Sequence, residues 1–237
     1  MRSQRVQTFS LRCMLNAMSI LFKLGFVTRK ERSVLTWRGR LVLASVFLSL
    51  GSLFFIGVHP FLSASKPIPA ELLIVESWLP DYAFLNAVSE FKHGGYKYVA
   101  TTGGTLLDAG SLSHYKTGAE FAAAKLEQLG LPSTCILSVP CAVTDRDRTL
   151  ASATALRAWL DRTNPGIYSA NLYSLGPHAR RSHLLFRRAL GNKLKLGIIA
   201  CRELQYDSNH WWRSSEGLRD VFSEAIAYCY SLVVTHS

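Results

Sequence analysis

The chain has 237 residues, a formal net charge of +11 and 49% apolar residues. This length accommodates one substantial domain and an additional segment. The charge is unevenly distributed along the chain. Residues 1–40 contain nine arginines and lysines and one acidic residue, a net charge of +8. The other 197 residues (237 minus 40) carry the remaining +3. The basic character therefore belongs to the N-terminal segment, and we expect no nucleic-acid partner for the main domain.

Residues 41–62, LVLASVFLSLGSLFFIGVHPFL, form a long apolar run that has no charged residue before His59. A bilayer core of about 30 Å is crossed by about 20 apolar residues in a helix. We therefore predict a single transmembrane helix at 41–62, followed by a linker at 63–70. A cleaved signal peptide is the alternative, but the 40 residues before the run exceed an ordinary charged leader.

The basic residues lie on the N-terminal side of the predicted span. The positive-inside rule places residues 1–40 in the cytoplasm and the following domain outside the cytoplasmic (inner) membrane. Residues 10–26 are apolar with scattered cations, which predicts an interfacial helix on the inner leaflet. A second spanning helix there is the alternative, and it would reverse the topology.

Apolar runs with strand character alternate with helix-like segments five times after the predicted span. The strands are predicted at 71–76, 96–102, 135–140, 170–176 and 194–200, and the helices at 81–94, 114–129, 147–162, 178–190 and 214–233. Continuous apolar strands alternating with helices are typical of a parallel sheet covered on both faces. We predict a three-layer, Rossmann-like α/β domain over 71–237 with about five mainly parallel strands.

Ligands of such sheets bind at the carboxyl ends of the strands. The fourth predicted strand leads there into GPHARRS, residues 176–182. Arg180 and Arg181 oppose the dipole at the start of a helix, which indicates an anionic partner in a ligand or in the protein itself. We predict that Arg181 clamps an anion and that His178 orients it or transfers a proton. Alternatively, one arginine pairs with an acidic side chain and the other is solvated.

The other strand ends supply further candidates for ligand binding. Glycines in TTGG, residues 101–104, let the backbone approach a ligand through positive φ angles, or they form a simple turn. Trp212, with Trp211, could stack on a sugar or base, cover the core or touch the membrane surface. Glu216 is a candidate partner for the arginines. The predicted ligand-binding residues are Glu76, Gly103, Gly104, Arg148, Thr149, Arg180, Trp212 and Glu216.

The sequence gives less support to a metal site or to a disulfide than to an anion site. Asp145 and Asp147 have the spacing of a metal pair, but a helix start explains them equally well, and we predict no metal site. Cys135 and Cys141 could form a disulfide in an oxidising compartment, or remain free thiols in the core. The sequence contains none of the common nucleophile, nucleotide-binding or zinc-protease motifs, and it does not identify a cofactor.

Several short motifs in this order resemble the YdcF/SanA/ElyC-like bacterial family, over about residues 71–235. The matching residues are Gly103, Gly104, Glu120, the run 129–132, Thr149, His178 and Arg181. The resemblance implies a Rossmann-like domain with a role in the bacterial cell envelope. The chain departs from the family pattern at 75–78, where a glycine-rich strand end is usual, and at Ser152, where asparagine is common.

Two functions follow as hypotheses. The first is a membrane-anchored domain that binds an anionic small molecule or a lipid-linked glycan precursor in envelope biogenesis. Its chemistry would be that of a phosphate-ester or glycan-carrier hydrolase or transferase. The second is a non-catalytic scaffold or sensor that acts through partner contacts.

Overall fold

A computed structural model of the protein describes residues 35–106, 114–142, 144, 146–163 and 165–234. The predicted cytoplasmic segment up to residue 34, with the possible interfacial helix at 10–26, lies outside these residues. So does Asp145.

The first described element is helix α1, Trp37–Leu62. With a mean hydropathy of 2.4 in its most apolar window, it is the one helix of the described chain that is long and apolar enough to cross a membrane. At about 1.5 Å per residue its 26 residues extend about 39 Å, enough for a bilayer core. The chain divides into two compact units, residues 1–49 and 50–237, and the boundary falls inside this helix.

The second unit contains a five-stranded sheet in which every strand pairing is parallel. Its order is β3-β2-β1-β4-β5. The strands are β1 Leu72–Glu76, β2 Tyr98–Gly103, β3 Ile136–Pro140, β4 Ser169–Leu175 and β5 Lys195–Cys201. The helices are α2 Asp81–His93, α3 Gly118–Gln128, α4 Arg148–Thr163, α5 His178–Leu190 and α6 Ser215–Val233. The predicted fold class is confirmed.

Both faces of the sheet are buried, as alternate residues of β1 demonstrate. Leu73 and Val75 belong to a core cluster that includes residues of α2 and α3. Leu72 and Ile74 belong to a second cluster, which includes residues of α4 and α5. Because successive side chains of a strand point to opposite faces, this is a three-layer sandwich. The order reverses between β1 and β4, so a binding crevice is expected at their carboxyl ends.

Helix α3 begins four residues later than predicted, for a local reason. The Thr117 hydroxyl accepts a hydrogen bond from the backbone N–H of Glu120, and the Glu120 carboxylate accepts one from the backbone N–H of Thr117. This reciprocal capping box fixes the start of the helix at Gly118. Glu120, one of the residues that carries the family resemblance, therefore has a structural role.

The predicted linker at 63–70 is attached to the sheet. Lys66 forms an antiparallel bridge with Ile198 of β5. The side-chain amide of Asn171 donates to the carbonyl of Ile68 and accepts from its N–H, at 2.8 and 3.0 Å. A Cβ at Gly197 would lie 2.0 Å from Asn171 Oδ1, so the close approach requires glycine here. The chain between α1 and β1 is thus held in place by the fold.

The last turns of α1 pack on the domain. Leu62 forms a third buried cluster with Trp211 and Val221. The Trp211 indole stacks on the Phe55 ring at 5.4 Å and donates to the Phe55 carbonyl at 3.0 Å. Of the three roles considered for the tryptophans, Trp211 takes that of covering a core.

Candidate functional site

A cavity of about 700 Å³ opens at the carboxyl ends of the strands. Seven of the ten predicted site residues line it, and these are Glu76, Gly103, Gly104, Arg148, Thr149, His178 and Arg181. They come from the ends of β1 and β2 and from the first turns of α4 and α5. The cavity therefore opens at the edge of the sheet that the strand-end rule selects.

Three predicted site residues lie elsewhere. The Arg180 guanidinium lies 3.9 Å from the centre of the Phe61 ring and donates to the Phe61 carbonyl. Glu216 is exposed and accepts from the hydroxyl of Ser215. Trp212 contacts the rings of Phe55, His210 and Trp211. None of the three lines the cavity. Adjacent residues of a helix point in different directions, so Arg180 cannot follow Arg181 into the pocket.

Three side chains at the cavity form one hydrogen-bonded group. Arg181 Nε and Nη2 donate to the two carboxylate oxygens of Glu224 at 2.8 and 3.0 Å, a bidentate pair. His178 Nδ1 lies 2.8 Å from Glu224 Oε1. Arg181 therefore has its anionic partner within the protein, as one of the sequence alternatives held, but that partner is Glu224 and not Glu216.

These contacts determine the tautomer of His178. Burial alone would raise the pKa of Glu224, but hydrogen bonds from His178 and Arg181 outweigh that effect and hold the pKa at about 2. Glu224 is therefore an ionised acceptor, and its 2.8 Å contact favours the proton on Nδ1 of His178. Arg181 Nη2 lies 3.0 Å from the same nitrogen, but this donor already has Glu224 as its acceptor. In the neutral ring, Nε2 is then left as a basic lone pair.

The Nε2 atom of His178 has no hydrogen-bond partner among the described residues. It is buried and lies 3.8 Å from Glu76 Oε1, beyond hydrogen-bond distance. The Trp78 ring packs edge-on against the imidazole at 4.6 Å and limits its rotation. A buried unsatisfied nitrogen costs free energy and is uncommon in folded proteins, which makes His178 the unusual residue of the cavity lining.

Glu76, at the end of β1, is 3% exposed. Its carboxylate accepts hydrogen bonds from the hydroxyls of Ser174 and Ser182. No arginine or lysine pairs with it within 4.0 Å among the described residues. A buried carboxylate held by neutral donors can accept from a substrate hydroxyl or stabilise a protonated His178.

Asp220 is a further carboxyl group of the cavity and has a perturbed pKa. Burial raises its pKa, as do the negative charges of Glu224 and Glu203, and a hydrogen bond from Tyr206 at 2.7 Å only partly offsets them. A carboxyl group that keeps its proton more readily than usual is suited to act as a general acid. Glu203, also at the cavity, is held by the Tyr82 hydroxyl at 2.7 Å and by two backbone N–H groups.

Gly103, at the end of β2, and Gly118, at the start of α3, make room for the side chain of Ser77. A Cβ on Gly103 would lie 2.1 Å from Ser77 Oγ and 2.8 Å from Ser77 Cβ, and one on Gly118 would lie 2.5 Å from Ser77 Oγ. Neither Gly103 nor Gly104 has a positive φ, contrary to the expectation from the sequence. Ser77 fills the space between two backbone segments, and the buried hydroxyl of Thr102 beside it has no hydrogen-bond partner.

We therefore expect Gly103→Ala to destabilise the protein by about 1–3 kcal/mol through overpacking against Ser77. The matched control is Gly104→Ala, whose Cβ would lie 3.2 Å from the Cys141 sulfur and needs only a small adjustment. Thermal unfolding of the full chain in detergent measures the stability of both variants. Equal melting temperatures for the two variants would contradict the packing role assigned to Gly103.

The entrance to α4 supplies the cationic part of the cavity. Arg148 is exposed at the first residue of the helix and Thr149 follows it, and both line the cavity. Asp147, just before the helix, has a left-handed backbone with φ of 51°. The free N–H groups and dipole of a helix N-terminus favour an anion at this position.

Charges in the cavity are unevenly distributed. The described lining residues include two arginines and five carboxylates, and the carboxylates are Glu76, Asp147, Glu203, Asp220 and Glu224. Because Arg181 is paired with Glu224, the cation left to meet a ligand directly is Arg148. The cavity is thus divided into an anion-accepting part at α4 and an acid–base part at α5 and α6.

Sequence reasoning missed the acidic residues contributed by α6. Asp220 and Glu224 are four residues apart on a predicted helix, which places them on one face. This signal was available, but nothing in the sequence indicated that the last helix reaches the first turn of α5. Ser77, Trp78 and Ser152, which carry the departures from the family pattern, also line the cavity.

The four described cysteines are free thiols in the structure, with Cys141 buried and Cys135 partly exposed. The Cys141 sulfur lies 3.6 Å from the hydroxyl of Ser152 at the cavity. Within the described ranges, no group of three or more histidine, cysteine or acidic residues could hold a metal ion. In comparisons with known proteins, no family model matches the chain and no curated protein matches it.

Proposed function

We propose that the chain is a membrane-anchored protein whose cavity binds an anionic small molecule or a lipid-linked glycan precursor, and that it acts as a phosphate-ester or glycan-carrier hydrolase or transferase in the bacterial cell envelope. The observation that carries this proposal is the buried, unpartnered Nε2 of His178, a residue of the cavity lining whose Nδ1 contacts Glu224.

The division of the cavity supports a ligand with a phosphate and a hydroxyl-bearing group. The phosphate fits the N-terminus of α4 beside Arg148 and Thr149, where N–H groups and one unpaired guanidinium meet. Carboxylates such as Glu76 accept hydrogen bonds from sugar hydroxyls, and the half-exposed Trp78 offers an apolar ring face to a sugar. A phosphorylated sugar or a glycan carrier contains both groups.

The acid–base part would act through His178. Nε2 accepts a proton from an attacking water or hydroxyl, and Glu224 stabilises the imidazolium that forms. Glu76 Oε1, 3.8 Å from Nε2, adds to this stabilisation. Asp220, whose protonated form is favoured by burial, would donate its own proton to the leaving oxygen as the ester bond breaks. The described residues at the cavity include no activated serine or cysteine, so a direct attack by water or by an acceptor hydroxyl is the simplest chemistry.

The localisation rests on α1 and on the charge before it. Nine cations against one acidic residue over 1–40 favour a cytoplasmic N-terminus at the inner membrane, with the α/β domain on the outer side. The proposed envelope role rests on this topology and on the YdcF/SanA/ElyC-like motifs.

One observation favours the second candidate, a non-catalytic sensor or scaffold. Arg181 is neutralised by Glu224, so the residue expected to clamp the anion has its charge satisfied inside the protein. A cavity of this kind could bind a ligand and transmit its presence without turning it over. Both candidate functions require the same bound ligand, but only the enzyme requires His178, because only the enzyme turns the ligand over.

The test is a thermal-shift screen of the full chain in detergent against nucleotides, sugar phosphates and prenyl phosphates. A ligand at 100 times its Kd adds about 2.7 kcal/mol of stability, which is readily detected. We expect a phosphate-bearing ligand to raise the melting temperature, and Arg148→Ala to abolish the shift. The matched control is Arg146→Ala, two residues earlier, exposed and outside the cavity.

His178→Gln then separates the two candidates. For the enzyme, turnover of the bound ligand should fall about 10²–10⁴-fold because the general base is lost, while the ligand-induced shift persists. Product formation followed by chromatography is the measurement. Unchanged turnover would refute the role given to His178, and binding without turnover in the wild type would favour the sensor.

A further inference from the structure

Helix α6 carries an apolar stripe, defined here as Leu218, Phe222, Ile226, Cys229 and Val233. These residues are three or four positions apart and so share one face of the helix. All five are exposed, Ile226 and Val233 most of all, at 68% and 81%. A contiguous exposed apolar surface of this kind marks an interaction site.

Two other sides of α6 are occupied. Asp220 and Glu224 line the cavity, and Val221 is buried in the cluster with Leu62 of α1 and Trp211. The stripe lies on the side of the helix that the described part of the chain leaves exposed, next to Arg219 and Ser223.

Contacts with α1 indicate what covers the stripe. The Phe222 ring lies 5.9 Å from that of Phe54, and Tyr228 lies 5.6 Å from Phe61. Phe54 belongs to the uncharged run of α1, about 12 Å along the axis from its end at Leu62. The stripe is therefore continuous with the surface of α1, the helix predicted to span the membrane, and it meets α1 where the residues of α1 are apolar.

Two arginines flank the stripe. Arg219 is exposed beside Leu218, and Arg188 of α5 donates to the carbonyls of Ser231 and Leu232 at the end of α6. Apolar faces bordered by cations and aromatic rings are typical of helices that lie in the membrane–water interface.

We propose that α6 lies in the membrane–water interface, with the stripe among the acyl chains of the lipids and Arg188 and Arg219 at the level of the headgroup phosphates. The occupant is lipid and not a second copy, because exposed side chains of α1 such as Phe54 and Ile56 extend the same apolar surface and are lipid-facing in a spanning helix. This proposal is independent of the chemistry assigned to the cavity.

The experiment uses the full chain in phospholipid nanodiscs that contain phosphatidylglycerol. A nitroxide is attached to Cys229, the exposed native cysteine at the centre of the stripe, after replacement of Cys13 and Cys135 by serine. The matched control carries Cys229→Ser and a label at Ser223→Cys, an exposed position about 120° round the same helix. Power saturation then measures access of oxygen and of a water-soluble nickel chelate to each label.

We expect the label at 229 to be open to oxygen and several-fold less accessible to the nickel chelate than the label at 223. Adding Ile226→Asp should raise nickel access at 229, with folding confirmed by the melting temperature. Equal nickel access at the two labels would overturn the proposal by placing the stripe in water. A label at 229 that is closed to both reagents would overturn it by placing protein, such as a second copy, on the stripe.

Discussion

Glu224→Ala is expected to destabilise the protein by about 3–5 kcal/mol, because it removes one member of a buried ion pair and leaves the other without a counter-charge. The side chains of Arg181 and Glu224 are only 19% and 12% exposed, so water screens the lost interaction poorly. His178 loses its acceptor at the same time. Chemical unfolding of the full chain in detergent is the measurement.

Two variants make this expectation specific. Glu216→Ala lies on the same helix, but Glu216 is exposed and outside the cavity, so its loss should change stability by less than about 0.5 kcal/mol. The double variant Glu224→Leu with Arg181→Leu removes both charges and should recover most of the loss. A loss of less than about 1 kcal/mol in the free energy of unfolding of Glu224→Ala would contradict this expectation, because water would then be compensating the charge of Arg181.

The fold was accessible from the sequence because its signals are local. Each buried strand is a short continuous apolar run, and each helix that follows has recognisable ends, such as the glycine at position 130. Alternation of the two then specifies a parallel sheet, and the strand-end rule specifies the edge at which a site lies. These inferences need only residues that are neighbours in the chain.

The composition of the site was less accessible because it depends on packing between distant elements. Arg180 and Arg181 are equivalent in the sequence, and only the position of α1 beside α5 directs Arg180 to Phe61. Glu216 and Glu224 are both acidic residues of the last helix, and only the contact of α6 with α5 selects Glu224 as the partner. The sequence also contained no sign that the side chain of Ser77 occupies the space that a Cβ at Gly103 would need.

Stability should depend on pH through Glu224. Its pKa is about 2 in the folded protein against 4.5 ordinarily, so the folded state favours the ionised form. The stabilisation is present above pH 4.5 and is lost as the pH falls toward 2, a total of about 3 kcal/mol. We expect Glu224→Gln to be less stable than the wild type by about this amount at pH 7, and by about half of it or less at pH 3. Chemical unfolding at a series of pH values measures the gap.

Asp220, four residues away on the same helix, should behave in the opposite way. Burial and two neighbouring carboxylates raise its pKa above 3.8, so its ionisation disfavours the folded state, and stability is lost as the pH rises through the folded pKa. Asp220→Asn keeps an acceptor for the Tyr206 hydroxyl and should therefore be more stable than the wild type at pH 7, with the difference vanishing at low pH. Opposite pH dependences for the two variants would demonstrate that the fold favours the ionised form of Glu224 and disfavours that of Asp220, the division that the proposed acid–base chemistry uses. Variants that change in parallel would contradict this division of roles.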